Sequence, residues 1–308
     1  MAVVTAPQTA FHLTPKRVAE FDRNGFLHIA NAIAPDTLDT LRNHAAKLMQ
    51  TAGNAERAGD DTHPLLKHTT FVYNFAVPFL KLCQNFHLAA GVPSLAVLGS
   101  PEILALAESL CGPNLVPVID VLAVKQQHDN SIIHWHQDNI MPSPNKHRSI
   151  AMGIYLDDSI PGDGAVAFVP GTQGVRHDWP IFEDSSPPEI VELEIKAGDI
   201  LIHDLLTVHR AGVMVQNPIR QTLYYEFRSM EQITEEENWH QHQIDSRVDL
   251  LASSLAQHAE AYPTNKQFQW NMVPKWREGR DDSANLAAIY ADPLCFTMDV
   301  PEYLALQK

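Results

Sequence analysis

Apolar positions recur at helical spacing through the first third of the chain. After Ala34-Pro35-Asp36, where proline suits a first helical turn, Leu38, Leu41, Ala45, Leu48 and Met49 fall on one face and predict a helix. A second helix is predicted over Pro101–Cys111, carried by Ile103, Leu104, Leu106, Ala107 and Leu110 and closed by Gly112-Pro113. An earlier helix near Pro15 to Phe21 and a strand over Gly25–Ile29 complete this opening, and the polar stretch Thr51 to Pro64 predicts a loop. From Leu115 to Met230 the period shortens. β-prone runs over Leu115–Lys125, Ile132–Asp138, Ser149–Asp157, Ala165–Pro170, Val191–Ile195, Ile200–His203 and Gln221–Met230 alternate with turn signals such as Gly162-Asp163-Gly164 and Ala197-Gly198-Asp199. Many short strands punctuated in this way predict a sandwich or barrel. Helical character returns at Thr234–Gln241 and Asp245–Tyr262. With no repeat or linker in view, the expectation is one domain over 1–308: a helical flank to 112, a β core over 113–230, and a helical and irregular flank over 231–308.

Composition narrows the partners. The chain has 22 Lys and Arg against 37 Asp and Glu, a net charge of −15, and no local basic stripe that would neutralise phosphates, so a nucleic-acid partner is not expected. No run approaches the roughly 18 apolar residues of a membrane helix, and the start lacks a secretory pattern, so a cytoplasmic protein without a membrane partner is expected. Cys83, Cys111 and Cys295 are too few and too scattered for a disulfide framework or a thiolate metal site. Histidine is abundant, at 16 residues, and only its positions can show whether that matters.

The sharpest local pattern is Ile133-His134-Trp135-His136-Gln137-Asp138. On a strand, His134, His136 and Asp138 share a face, and an imidazole with a nearby carboxylate can grip one metal ion. Downstream, the strand Ile200–His203 and the segment Leu206–Gly212 offer His203 or His209 as a third ligand. Two imidazoles and one carboxylate make the facial triad of non-haem Fe(II) oxygenases, which leaves coordination positions open for a co-substrate and dioxygen. Further along, Arg220 and Thr222 share a face of the next strand. A guanidinium with a neighbouring hydroxyl is a clamp for the acid end of a dicarboxylate.

Taken in order, these residues resemble the phytanoyl-CoA dioxygenase family of Fe(II)/2-oxoglutarate oxygenases. The segment Leu13 to Leu41 is similar to the family's opening helix, strand and helix. Trp135-His136-Gln137-Asp138, Leu156-Asp157-Asp158, Gly164 to Thr172, Gly198-Asp199 and His209-Arg210-Ala211-Gly212 match in sequence. The resemblance implies a mainly β fold with flanking helices, a double-stranded β-helix of jelly-roll, cupin-like form. It implies that His136, Asp138 and His209 bind Fe(II), and that Arg220, eleven residues past His209, holds the far carboxylate of 2-oxoglutarate with Thr222. It also implies that dioxygen drives oxidative decarboxylation of 2-oxoglutarate to succinate and carbon dioxide, followed by hydrogen abstraction from an unactivated C–H bond. Retention of Asp138 favours hydroxylation, while desaturation or rearrangement share the same abstraction step.

Lys125 or Gln127 is a candidate contact to 2-oxoglutarate, because family members place a polar residue there. Asn139 and Met141 follow the ligand Asp138 and are candidate substrate contacts. Tyr73, in the alternating series Phe71, Tyr73 and Phe75, is another, and Gly153, where relatives carry a bulky aromatic, is expected to widen the pocket. Gln173 stands where many relatives have histidine and is expected to change only loop hydrogen bonding. Trp135 is expected to face away from the metal, His203 to bond to backbone, and Glu235-Glu236-Glu237 to form a solvated face near a helix start. CoA phosphates need cations, and no dedicated cluster is evident, so a small or medium-sized free molecule, such as a secondary metabolite, is expected as substrate of a monomer or homodimer. An acyl-CoA hydroxylase, a non-catalytic jelly-roll binding protein and a Lewis-acid metalloenzyme are the competing readings.

Overall fold

The computed structural model describes residues 11–138, 146–175, 177, 189–237, 239–280 and 285–291. The chain opens with α1 (Pro15–Asn24), β1 (Phe26–Ile29) and α2 (Pro35–Ala58). Thr14 caps α1 by accepting from the Arg17 amide, and Gly25, with φ of 80°, ends it in the left-handed conformation that turns the chain straight into β1. The hairpin β2 (Thr69–Asn74) and β3 (Val77–Gln84) follows, then α3 (Phe86–Ala90), α4 (Leu95–Leu98) and α5 (Pro101–Cys111). Eight further strands come next: β4 (Leu115–Gln126), β5 (Ile133–His136), β6 (Ser149–Tyr155), β7 (Val166–Phe168), β8 (Val191–Glu192), β9 (Ile200–Asp204), β10 (His209–Ala211) and β11 (Ile219–Ser229). The last described elements are α6 (Met230–Glu235), α7 (Gln241–Ala261), α8 (Pro274–Arg277) and α9 (Leu286–Ile289).

The strands form two antiparallel sheets. The larger has seven strands in the order β1-β9-β6-β11-β4-β3-β2, and the smaller has four in the order β5-β10-β7-β8. The expected β core with flanking helices is therefore present, as an open pair of sheets among the described residues, not a closed barrel. The outer face of the large sheet carries Leu122, Val124, Met152, Ile154, Ile202, Leu223, Tyr225 and Phe227. It packs with Leu41, Leu48, Leu98, Leu104 and Leu251 of α2, α4, α5 and α7 in one apolar cluster. Between the sheets lies a smaller cluster of Phe26, Tyr155, Val166, Phe168, Ile195 and Leu201, in which the Phe26 and Phe168 rings stack at 4.6 Å. β6 and β9 are consequently apolar on both faces over most of their length, which is why they read as unbroken hydrophobic runs.

Registers across the large sheet define rows of side chains on its inner face. Ile119, Glu226, Ala151, His203 and Phe26 form one row; Val121, Tyr224, Gly153, Leu201 and His28 form the next. Beyond them, Thr222 lies between Ala123 and Tyr155, and Arg220 opposite Lys125. These rows are the floor on which the site is built.

Three elements differ from expectation. α2 does not stop before Thr51, because its buried stripe continues from Leu48 through Ala52 and Ala55, small residues that carry little hydrophobic signal. The supposedly helical first third contains the hairpin β2–β3, which extends the large sheet beyond β4. α6 begins at Met230, before the expected Thr234, because the Ser229 hydroxyl accepts from the Gln232 amide as its cap. No single described helix is long and apolar enough to cross a membrane.

Gly99, just after α4, marks a close helix crossing: a Cβ there would lie 2.0 Å from the Ser254 carbonyl oxygen of α7. Because backbone cannot step aside as a side chain can, Gly99→Ala is expected to destabilise the protein by about 2 kcal/mol or more. Thermal unfolding measures this, and an unchanged melting temperature would show that α4 and α7 are not held so closely.

Candidate active site

The two histidines of the motif pair come together through strand pairing. β10 runs antiparallel to β5 with His209 directly opposite His136, and the two rings lie 4.1 Å apart between centroids. Each ring is fixed by a hydrogen bond from Nδ1 to a backbone carbonyl two residues earlier, His136 to His134 at 2.8 Å and His209 to Thr207 at 2.9 Å. A carbonyl can only accept, so Nδ1 of each ring carries a proton, and Nε2 is the atom that each ring, when neutral, offers to a ligand. Asp138 is tied by its amide to the Leu205 carbonyl at 2.8 Å. Its Oδ1 lies 3.2 Å from His136 Nε2 and 3.7 Å from His209 Nε2. The three ligand atoms fall within 4.8 Å of one another, close enough to hold one metal ion.

His203 is neither bonded to backbone nor one of these three. From the floor row of β9 its Nε2 meets Asp138 Oδ2 at 2.9 Å, which leaves Oδ1 facing the two other imidazoles. The expectation of a backbone partner fails because β9 aims this side chain into the space between the sheets, where Asp138 is the available acceptor. Protonation equilibria follow the same geometry. Burial opposes ionisation of Asp138, yet the His209 ring and the hydrogen bonds from His136 and His203 outweigh it and hold the carboxyl well below its usual range. Burial, reinforced by the neighbouring His136, pushes His209 down to about 3, so its ring is neutral and able to donate a lone pair.

Further along the floor, Arg220 is buried, and its one hydrogen bond among the described residues is a long contact from Nη1 to Ser159 Oγ at 3.5 Å. Its Nε and the Thr222 hydroxyl are both buried without a partner among the described residues. Lys125, opposite Arg220, is buried as well and donates to the Ser131 carbonyl at 2.9 Å. Burial, then the charges of Lys81 and Arg220, push its amine down to about 6. Cationic groups and unmet donors collected in one recess, without a carboxylate against Arg220 among the described residues, have the chemistry of an anion site.

Of the remaining candidates, Gln127 is not gathered here; its amide donates to the Val215 carbonyl at 2.7 Å and braces the loop before β11. Gly153 does not widen the pocket. A Cβ at that position would lie 2.8 Å from the Tyr224 ring and 2.9 Å from Thr222 Cγ2, so the missing side chain makes room for Tyr224 to lie across β6. Tyr73 is exposed on the edge strand β2, with its hydroxyl on Glu56 of α2, and is not brought together with the triad. Asn139 and Met141 lie outside the described residues. Trp135 turns away from the triad onto Val169 and Val208 under the Arg210 guanidinium, and Gln173 donates to the Asp22 carbonyl at 2.8 Å. Glu235-Glu236-Glu237 stands at the end of α6, and Glu237 is no solvated residue: it is buried against Arg228. The reason is the side of the helix end it occupies, over Arg228 at the end of strand β11, which an acidic triplet in sequence does not reveal.

Comparison with known proteins places this arrangement in a wider group. EvdMO1 superposes with a TM-score of 0.58 at 24% identity, over 70% of this chain and 50% of the other, so the match spans half the length of that protein. AviO1 from Streptomyces viridochromogenes Tue57 gives 0.57 at 20% identity, over 73% and 97% of the two chains. EctD from S. alaskensis, crystallised with 2-oxoglutarate and 5-hydroxyectoine, gives 0.58 at 18% identity, over 74% and 81%. No curated protein sequence matches at a significant level. The family model for phytanoyl-CoA dioxygenase matches residues 21–221, a span that runs from the end of α1 into β11, and the chain belongs to that family.

Proposed function

We propose that this enzyme, a non-haem Fe(II)/2-oxoglutarate-dependent member of its family, oxidises an unactivated C–H bond of a small or medium-sized organic molecule. The observation that carries the assignment is the coexistence of two features: a His136, Asp138 and His209 cluster whose ligand atoms face one another, and a buried Arg220 whose Nε, like the Thr222 hydroxyl, has no partner among the described residues. In this reading His136 Nε2, Asp138 Oδ1 and His209 Nε2 hold Fe(II), and Arg220 with Thr222 takes the distal carboxylate of 2-oxoglutarate. Lys125 flanks that carboxylate. EctD, crystallised with 2-oxoglutarate, shares the fold and supports the choice of co-substrate.

The bound metal, with 2-oxoglutarate and dioxygen, supplies the oxidising chemistry and yields succinate and carbon dioxide. The protein's part is positional. Carbonyls of His134 and Thr207 fix the imidazole tautomers, His203 turns the carboxylate, and the apolar inter-sheet cluster around Phe168 keeps water from the inner side of the site. One oxygenase domain over residues 1–308, acting in the cytoplasm as a monomer or homodimer without nucleic-acid or membrane partners, belongs to the same reading. The acidic net charge supports its last part.

Anaerobic addition of Fe(II) and 2-oxoglutarate is expected to produce a visible metal-to-ligand charge-transfer band; its absence from folded, metal-loaded protein would overturn the assignment. Asp138→Ala is expected to abolish both the band and succinate formation. Arg220→Ala is expected to weaken 2-oxoglutarate by about 10- to 100-fold, the value of a charged bidentate pair, as titration of the band would show.

His203→Leu removes the donor that turns Asp138 and is expected to lower Fe(II) affinity by about tenfold or more. His203→Gln, which keeps a donor, recovers part of it; equal affinity in all three proteins would leave His203 a packing residue.

Binding also moves a proton. The Lys125 amine, at about 6 in the free site, is raised by an adjacent carboxylate, so near neutral pH it takes up a proton as 2-oxoglutarate binds. Affinity is thus expected to fall as pH rises above 6, by up to about tenfold per unit. Calorimetry in buffers of different ionisation enthalpy reads the uptake directly, and Lys125→Met should abolish it.

A further inference from the structure

The floor row beneath Asp138 contains a carboxylate that the proposed chemistry does not use. Glu226 of β11 is separated from His203 by Ala151 of β6, whose methyl leaves the space between them open. At a strand spacing of roughly 4.8 Å, two strands put Glu226 about 10 Å from His203 along the row. Glu226 is the inner end of a relay. Arg228 Nε and Nη2 reach its Oε1 at 2.7 Å and 2.5 Å, Arg228 Nη1 bonds to Glu237, and Trp239 Nε1 donates to Glu237 at 2.8 Å. Side-chain exposure rises along the relay from 1% at Glu237 through 3% at Arg228 to 12% at Glu226, so the relay opens at the Glu226 end. Both contacts from Arg228 fall on one oxygen, and among the described residues nothing donates to Glu226 Oε2.

The wall beside this oxygen is apolar. Ile119, Val121 and Ala123 of β4 lie opposite Glu226, Tyr224 and Thr222 and are half-buried, whereas Val118, Leu122 and Val124 on the other face are fully buried in the helix-covered core. A fixed carboxylate with one accepting oxygen free, next to such a stripe, selects by chemistry. It rewards a hydrogen-bond donor and repels an anion.

We propose that Glu226 is the specificity-determining residue of this site: its free oxygen receives a hydroxyl or ammonium group of a substrate whose apolar body lies along Ile119, Val121 and Ala123. The inference rests on the oxygenase reading for the identity of the pocket. It narrows the substrate to a molecule with a donor at the end nearest Glu226 and excludes a carboxylate or phosphate at that end. Arg228 and Glu237 act through Glu226, holding its rotamer so that Oε2 is presented at little entropic cost.

Protein loaded with Ni(II) and 2-oxoglutarate, which does not turn over, can be titrated calorimetrically with octylamine, octanol and octanoate as probes. Octylamine and octanol are expected to bind about tenfold or more tightly than octanoate, the value of one charged hydrogen bond. In Glu226→Gln that preference should collapse, with octanoate gaining affinity. Loss confined to octylamine assigns the ammonium group, and equal loss of octanol assigns the hydroxyl. Equal binding of all three probes, preference for octanoate, or no binding of any would overturn the proposal, as would an unchanged preference in Glu226→Gln. Glu226→Asp, which withdraws the carboxylate by one methylene, serves as the second variant should the amide impair folding. 2-Oxoglutarate affinity measured on the same samples separates the two ideas. Normal co-substrate binding without donor selectivity removes Glu226 alone, whereas failure to bind 2-oxoglutarate in the parent protein removes the oxygenase reading.

Discussion

The pairing of β5 with β10 is the constraint on which the site depends. It sets His136 opposite His209, and strand geometry then dictates the closeness of their rings. Neither strand has the length to be stable alone; β5 has four residues and β10 three. Their position is enforced from outside, by β7 on one side of β10 and by the bond from the Asp138 amide to the Leu205 carbonyl on the other. A slip of one residue would turn one imidazole to the opposite face and dissolve the cluster.

Charge is handled locally, against the grain of the whole molecule. A chain with a net charge of −15 nonetheless keeps Arg220 and Lys125 side by side in a buried recess, without a carboxylate against the guanidinium among the described residues. Burial, with the charges of Lys81 and Arg220, makes the lysine reluctant to hold its proton there, so the recess is less repulsive when empty than its composition suggests. At the other end of the floor the balance reverses, with two carboxylates sharing Arg228. The inner surface is therefore polar in opposite senses at its two ends, with Tyr224 and Thr222 between them.

Much of this was legible in the sequence because the relevant signals are short-range. His136 and Asp138 stand two apart on a strand, Arg220 and Thr222 likewise, and alternation alone puts each pair on one face. The order of motifs supplied His209. What could not be read depends on pairing between distant segments. His203 meets Asp138 across 65 residues, and its role is invisible until β9 is placed under β5. Gly153 is a similar case: from sequence a missing side chain signals space, yet the register with Tyr224 fills it. Glu237 reads as one of three solvated acids until α6 is seen to end over Arg228. The extension of α2 through Ala52 and Ala55 escaped notice for a simpler reason, since alanine and glycine bury well but announce little.

The triad and the residue that orients it lie in different structural layers. His136 and His209 belong to the small sheet, while the partner that turns Asp138, His203, belongs to the large one. Among the described residues, the seam between the layers is filled by six buried side chains, a modest interface for two sheets. An ion held by the triad would fix the Asp138 carboxylate and, with it, the His203 contact that crosses the seam, adding stability that rises with the logarithm of the ion's free concentration. Metal supply would then govern how long the folded protein survives as well as whether it turns over.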